Sequence, residues 1–345
     1  MDFNITTNGT ANNIYSTFIV NLCFSIIALT LNLAVCLIIG THSKLWQPFN
    51  LLILNLSFSD ILVSVGVLLN GLIHLYVTHP FMAYATANVL CKISIALAVV
   101  ALPGASLTLL AMSIERFQAI SVIRIRKLGL RTVRNIVIII WAIAVISIIV
   151  PTMYAELERK DPFECAIDRV DNFSLVLFIL FAIIANCLIP VTLTFTLYIV
   201  IIYKFCLNKI RIQPIKALII GKRKKSLRQK ILPVICISII SALSGIPYLL
   251  LHYYLISGQH FNPHFRGIFL KDNYVIWTTF RALFIVTPIL NPLLYNLASS
   301  KFRNHIRALI CHQPQSVDET TGTIKQIKVL NLNSAPINSK SANGK

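Results

Sequence analysis

The sequence predicts an all-α membrane protein, a seven-transmembrane-helix bundle followed by a short amphipathic eighth helix. Three observations predict it. Apolar runs of about 20 residues, the length that crosses a bilayer as a helix, recur along the chain. Basic residues concentrate in alternate connecting segments. Cys91 and Cys165 are the only cysteines in segments on the opposite side from that charge. At 56% hydrophobic and 12% charged, with a mean hydropathy of +0.76, the 345-residue chain is too apolar for a soluble fold of its length. Its net charge of +19 is explained by loop orientation and anionic lipid, which leaves no need for nucleic acid as a partner.

Residues 1–14 are expected to form a polar amino-terminal tail. This tail lacks Lys and Arg and carries acceptor sequons at Asn4 and Asn8, with no basic start or apolar core of a cleavable signal. The seven-helix bundle is expected over residues 15–298. Span one covers 15–39 with Asn32 inside, and span two covers 49–75 with Asp60 inside. A carboxylate there is costly in lipid, so Asp60 should face the bundle interior, either as an ion or partner site or as a packed, hydrogen-bonded group.

Span three lies within residues 88–123. A helix from Cys91 to Arg116 would cover roughly 37 Å, a little more than the hydrocarbon thickness, with the Glu115-Arg116 pair at its far end. Pro103-Gly104 should kink this span or loosen its packing. A basic segment follows, with Arg124, Arg126, Lys127, Arg131 and Arg134, and then span four over 136–154 with Trp141 and Pro151.

Residues 155–172 form an acidic loop holding Cys165 and ending at the sequon of Asn172. Span five covers 173–205 and contains Pro190. The densest basic tract, expected as a loop, leads to span six over 231–256 with Pro233 and Pro247. Span seven, 273–298, ends in Asn291-Pro292-Leu293-Leu294-Tyr295. Residues 299–311 read as an amphipathic helix with Phe302, Ile306 and Leu309 on one side and Lys301, Arg303 and Arg307 on the other. Residues 312–345 read as a disordered polar tail.

The basic segments after spans one, three and five and the carboxy-terminal tail belong in the cytoplasm, which puts the amino terminus outside. Cys91 and Cys165 then share an oxidising compartment and are expected to pair. His260 and His264 have a spacing that could hold a metal on a helix, but Pro263 interrupts it, so no metal site is expected.

Seven spans with Asn32, Asp60, Cys91, Cys165, Glu115-Arg116-Phe117, Trp141, Pro190, Tyr198, Pro247 and Asn291-Pro292-x-x-Tyr295 resemble the rhodopsin-like family of G-protein-coupled receptors. The markers occur in order, one or more in every span. The resemblance implies a plasma-membrane receptor that passes ligand binding to a heterotrimeric G protein, with arrestin as a further partner and no catalytic chemistry of its own. Glu115 resembles the carboxylate that restrains the neighbouring Arg116, and Arg116 resembles the family's switch. Tyr198 and Tyr295 resemble the tyrosines that turn inward in the active state. Pro247 resembles the pivot of span six, and Cys311 a palmitoylated cysteine, though a plain buried cysteine reads equally well.

The chain also departs from the family's pattern. Gly245 stands where a Trp is usual, Ser241 where a Phe is common, and Ala105 where a Ser completes a sodium site around Asp60, Asn32 and Asn291. No cofactor is therefore expected, sodium included. Residues 222–230 hold no acid that could pair with Arg116, so raised basal signalling is expected.

Ala98 replaces the Asp of amine receptors and Ile285 the retinal-binding Lys, which disfavours both ligand classes. His74, Ala98, Tyr248, His252, Trp277 and Arg281 are the candidate pocket residues. Arg281 favours an anionic ligand and the acidic loop a basic peptide. Two other readings stay open: a decoy of the same fold that binds without coupling, and a seven-helix transporter. Asp60 alone does not make the ionisable relay that a transporter needs.

Overall fold

In a computed structural model of the chain, the described residues are 4–78, 83–120, 128–157, 165–167, 170–207 and 217–298. They belong to one compact unit, Met1–Ser299. Nine α-helices and one small hairpin occur among them: α1 Asn4–Thr41, α2 Pro48–Thr78, α3 Tyr84–Ile120, α4 Leu130–Met153, β1 Ala155–Leu157, β2 Cys165–Ile167, α5 Phe173–Ile183, α6 Ile189–Leu207, α7 Ala217–Phe261, α8 Phe265–Asp272 and α9 Tyr274–Ala298. A π-helical turn, Ile184–Leu188, joins α5 to α6 into one span.

Seven spans are long and apolar enough to cross a membrane, one each in α1, α2, α3, α4, α5–α6, α7 and α9. Apolar side chains are exposed on their outer faces, as Ile138, Ile139, Val145 and Ile149 are on α4, because hydrocarbon solvates them in place of a core. Leu52, Ile53 and Leu56 of α2 are fully buried.

Lipid is as apolar as leucine, so burying apolar surface does little to hold such helices together, and close packing and interhelical hydrogen bonds take over. Asn55 of α2 supplies both. Its Nδ2 donates to Thr108 Oγ1 at 2.7 Å, and its Oδ1 accepts from Trp141 Nε1 at 2.8 Å, which ties α2 to α3 and α4. Gly104 lies at the same crossing. A Cβ built there would come within 2.6 Å of Ser59 Oγ and 3.2 Å of the Trp141 ring. The expectation that Pro103-Gly104 loosens this region is therefore corrected: α3 is unbroken, and the glycine lets two neighbours approach.

Proline leaves the carbonyl four residues earlier without its helical donor, and other spans supply one. The carbonyl freed by Pro190 is that of Asn186, and the Ser106 hydroxyl of α3 donates to it. Asn186 Nδ2 in turn donates to Ser147 Oγ of α4 at 2.8 Å. The carbonyl freed by Pro292 is that of Pro288, which accepts from Asn32 Nδ2 of α1 at 2.9 Å.

At one end of the bundle, β1 and β2 pair antiparallel with Leu157 opposite Cys165. The expected Cys91–Cys165 disulfide fastens the hairpin to α3. Tyr84 Oη donates to the Leu157 carbonyl and Asn88 Oδ1 accepts from the Leu157 N–H, each at 2.9 Å.

Two boundaries differ from the sequence reading. Helix α1 begins at Asn4, inside the stretch read as a tail. Helix α7 begins at Ala217, so the acid-free tract 222–230 is helical rather than loop. The eighth helix at 299–311, Cys311, the tail 312–345 and residues 121–127 and 158–164 lie outside the described residues, as do the side chains of Asn4, Asn8, His74 and Tyr295.

Candidate functional site

Three stations lie along the bundle. The first is a cavity of about 160 Å³ near the disulfide end, which Cys165 itself helps to line. Five sequence candidates meet there: Ala98 from α3, Tyr248 and His252 from α7, and Trp277 and Arg281 from α9. The rings form a connected set, with Tyr248 stacked on Phe284 at 4.6 Å and in edge contact with His252 at 4.5 Å, and His252 in edge contact with Trp277 at 4.8 Å.

Among the described lining residues, Arg281 is the only Lys, Arg, Asp or Glu. Its Nη2 donates to Asn70 Oδ1 of α2 at 2.6 Å, so the guanidinium is steered from across the bundle. Sequence reading missed Asn70. It lies one helical turn before His74, and its position in an apolar span was the available signal.

The second station is a smaller cavity of about 70 Å³, bordered by Asp60, Ser106, Ser241, Gly245, Thr287 and Asn291 among others. Asn291 Nδ2 donates to Asp60 Oδ2 at 2.9 Å, joining α9 to α2. Asn32 lies on the adjoining face of α1 and donates to the Pro288 and Ala28 carbonyls. Thr287 Oγ1 donates to Ser244 Oγ at 2.7 Å, linking α9 to α7. Asp60, Asn291 and Ala105 border this space, while Asn32 reaches only the carbonyl of Pro288, another of its lining residues. No group of three or more His, Cys, Asp or Glu suited to a metal occurs among the described residues.

The third station is at the other end of α3. Arg116 is 8% exposed and turned into the bundle. Its Nε lies 3.5 Å from Glu115 Oε2 and has no hydrogen-bond partner among the described residues. Its guanidinium carbon sits 3.4 Å above the centre of the Phe49 ring of α2, a cation–π contact. Phe49 was not among the sequence candidates, since nothing in its spacing pairs it with Arg116. Phe117 is half-buried and Tyr198 of α6 is buried.

The remaining candidates lie apart from these stations. Asn172 is exposed and caps α5 by accepting from the Ser174 N–H at 2.9 Å. His260 sits on α7 with Nδ1 2.7 Å from the Val170 carbonyl oxygen, while His264 precedes α8, so the two histidines do not share a helix.

Two relatives are the "5-hydroxytryptamine receptor 1E" of Homo sapiens and that of Pan troglodytes. Each is 26% identical over 186 residues, which is 51% of this chain and 49% of the relative. The chain thus spans about half the length of the curated relatives it matches. The profile of the family described as "7 transmembrane receptor (rhodopsin family)" matches residues 31–295, from within α1 to the last residue of the Asn291-Pro292-x-x-Tyr295 motif. That is most of the chain, and the family consists of membrane receptors rather than enzymes. The chain belongs to the rhodopsin family of seven-transmembrane receptors.

Proposed function

We propose that the chain is a plasma-membrane receptor, amino terminus outside, that takes an extracellular ligand into the cavity by the disulfide and activates a heterotrimeric G protein at the Arg116 end. The observation that carries this reading is the state of Arg116. A guanidinium buried in the bundle holds a carboxylate at 3.5 Å and an aromatic face, with its Nε unbonded, so it has capacity for a better partner. A buried charge changes partners as a two-state event, and a docking protein that offers stronger acceptors shifts the populations.

The ligand is an anion or an anionic peptide, because Arg281 supplies the formal charge on the described cavity wall and Ala98 leaves an ammonium without a counter-ion. The serotonin-receptor relatives therefore support the fold and the signalling end more than the ligand. Asp60 acts as a structural anchor bonded to Asn291 rather than as a sodium site. Asn4, Asn8 and Asn172 are the acceptor sites for glycosylation.

The test is Arg116→Ala in cells carrying a G-protein activation reporter, with surface expression measured in parallel. We expect basal and stimulated signal to fall to the background of untransfected membranes at equal surface level. An Arg116→Ala receptor that signals above background as the parent does would overturn the switch reading, and a parent already at background would favour the non-coupling decoy.

A further inference from the structure

The small cavity at mid-bundle has an unusual origin. Gly245 lies inside α7, where glycine is a poor helix former, yet a Cβ built on it meets nothing within 4 Å. Close approach of a neighbour does not explain this glycine. It opens a space, and the surrounding Ala101, Ala105 and Ser241 are also too small to close it. At about 70 Å³ the space far exceeds the roughly 10–15 Å³ that one water needs.

Its walls are mostly carbon, from Val63, Leu109, Ile246 and Phe284 among others, with Asp60, Ser106, Ser241 and Asn291 as polar members of the lining. The Thr287 and Ser244 hydroxyls are committed to one another and to helix carbonyls. Unfilled volume forfeits dispersion contacts along the carbon part of the lining, where water gains little. An apolar group is the occupant that gains most.

The two cavities share three lining residues, Leu102, Leu249 and Phe284. The partition between the compartments thus includes side chains that can change rotamer. The upper compartment carries Arg281 on an otherwise largely apolar wall. We propose that the two cavities form one bipartite site for an amphipathic anion, its charged head against Arg281 and its apolar chain passing Phe284 into the chamber beside Gly245. This rests on the reading of the upper cavity as the ligand site.

The probe is a series of straight-chain carboxylates from hexanoate to hexadecanoate, with the matching alcohols, titrated against the purified full chain in lipid nanodiscs. Binding to the parent should tighten about three- to fourfold per methylene until the chamber is filled, then level off. Gly245→Leu adds a side chain at the chamber wall from a Cβ with nothing within 4 Å. It should bind the shortest acids as the parent does and lose at least tenfold for the long ones. Gly245→Ala should follow the parent, and Arg281→Gln should bind acids and alcohols alike.

Retained short-acid binding shows that the Gly245→Leu protein is folded. If that variant then binds long acids as tightly as the parent, the chamber proposal is overturned while the upper site stands. If no acid binds the parent at any length, both the anion reading and the bipartite site fail.

Discussion

The two ends of α3 are held in opposite ways. At the disulfide end a covalent bond, a two-stranded hairpin and two hydrogen bonds to Leu157 lock the backbone around Cys91. At the other end the contacts of Arg116 among the described residues include a loose ion pair and a ring face, both made by side chains. A fixed rim keeps the upper cavity shaped before a ligand arrives. A weakly restrained buried charge lets a small free-energy input change its partners. Changes at the first end should therefore cost stability, whereas changes at the second should shift a resting equilibrium.

The largest effect is expected from breaking the fixed end. Cys91→Ser should cost about 2–5 kcal/mol, because the bond closes a loop 74 residues long in sequence. Cell-surface yield and thermal unfolding in detergent would register the loss. Cys165→Ser should match it, and the double variant should be no worse than either single. A double variant markedly worse would show that each cysteine stabilises the fold apart from the bond.

The middle of the bundle comes next. Gly104→Val places two methyl groups where even a Cβ lies 2.6 Å from Ser59 Oγ, so α2 and α3 must separate, at about 1–3 kcal/mol. Ser59→Ala on top of it should recover part of the loss, and a double-mutant cycle of melting temperatures would measure the coupling.

These residues also mark what the sequence made legible. Seven apolar runs, the disulfide and the inward Asp60 could all be read in advance, because bilayer thickness and the cost of buried charge constrain them strongly, whereas the role of Arg116 came only from the family resemblance. The start of α7 could not. Residues 222–230 look like loop by charge, yet Lys, Arg, Leu and Gln are good helix formers, and charge marks the membrane boundary rather than the helix end. The loose packing expected at Pro103-Gly104 was misread for a related reason: a glycine that loosens a contact and one that admits a neighbour look alike until the neighbour is placed. Asn70 and Phe49 were missed because their partners, Arg281 and Arg116, come from other helices.

The smallest expected change bears most directly on the contrast between the ends. Phe49→Leu keeps an apolar side chain under Arg116 and removes the π-face, which is worth about 0.5–2 kcal/mol depending on desolvation. If that contact belongs to the resting state alone, its loss shifts the equilibrium toward the G-protein-engaging state, and basal signal should rise about two- to thirtyfold from a low starting level. Surface expression and melting temperature should change little, since leucine fills most of the ring's volume. The acid-free tract at the start of α7 works in the same direction, because no carboxylate in residues 222–230 is available to hold Arg116 once Phe49 lets go. Introducing one, as in Lys225→Glu or Gln229→Glu, should lower the basal signal of Phe49→Leu toward the parent's. A Phe49→Leu receptor with unchanged basal signal would mean that the ring stabilises both states equally, leaving Glu115 as the restraint that matters.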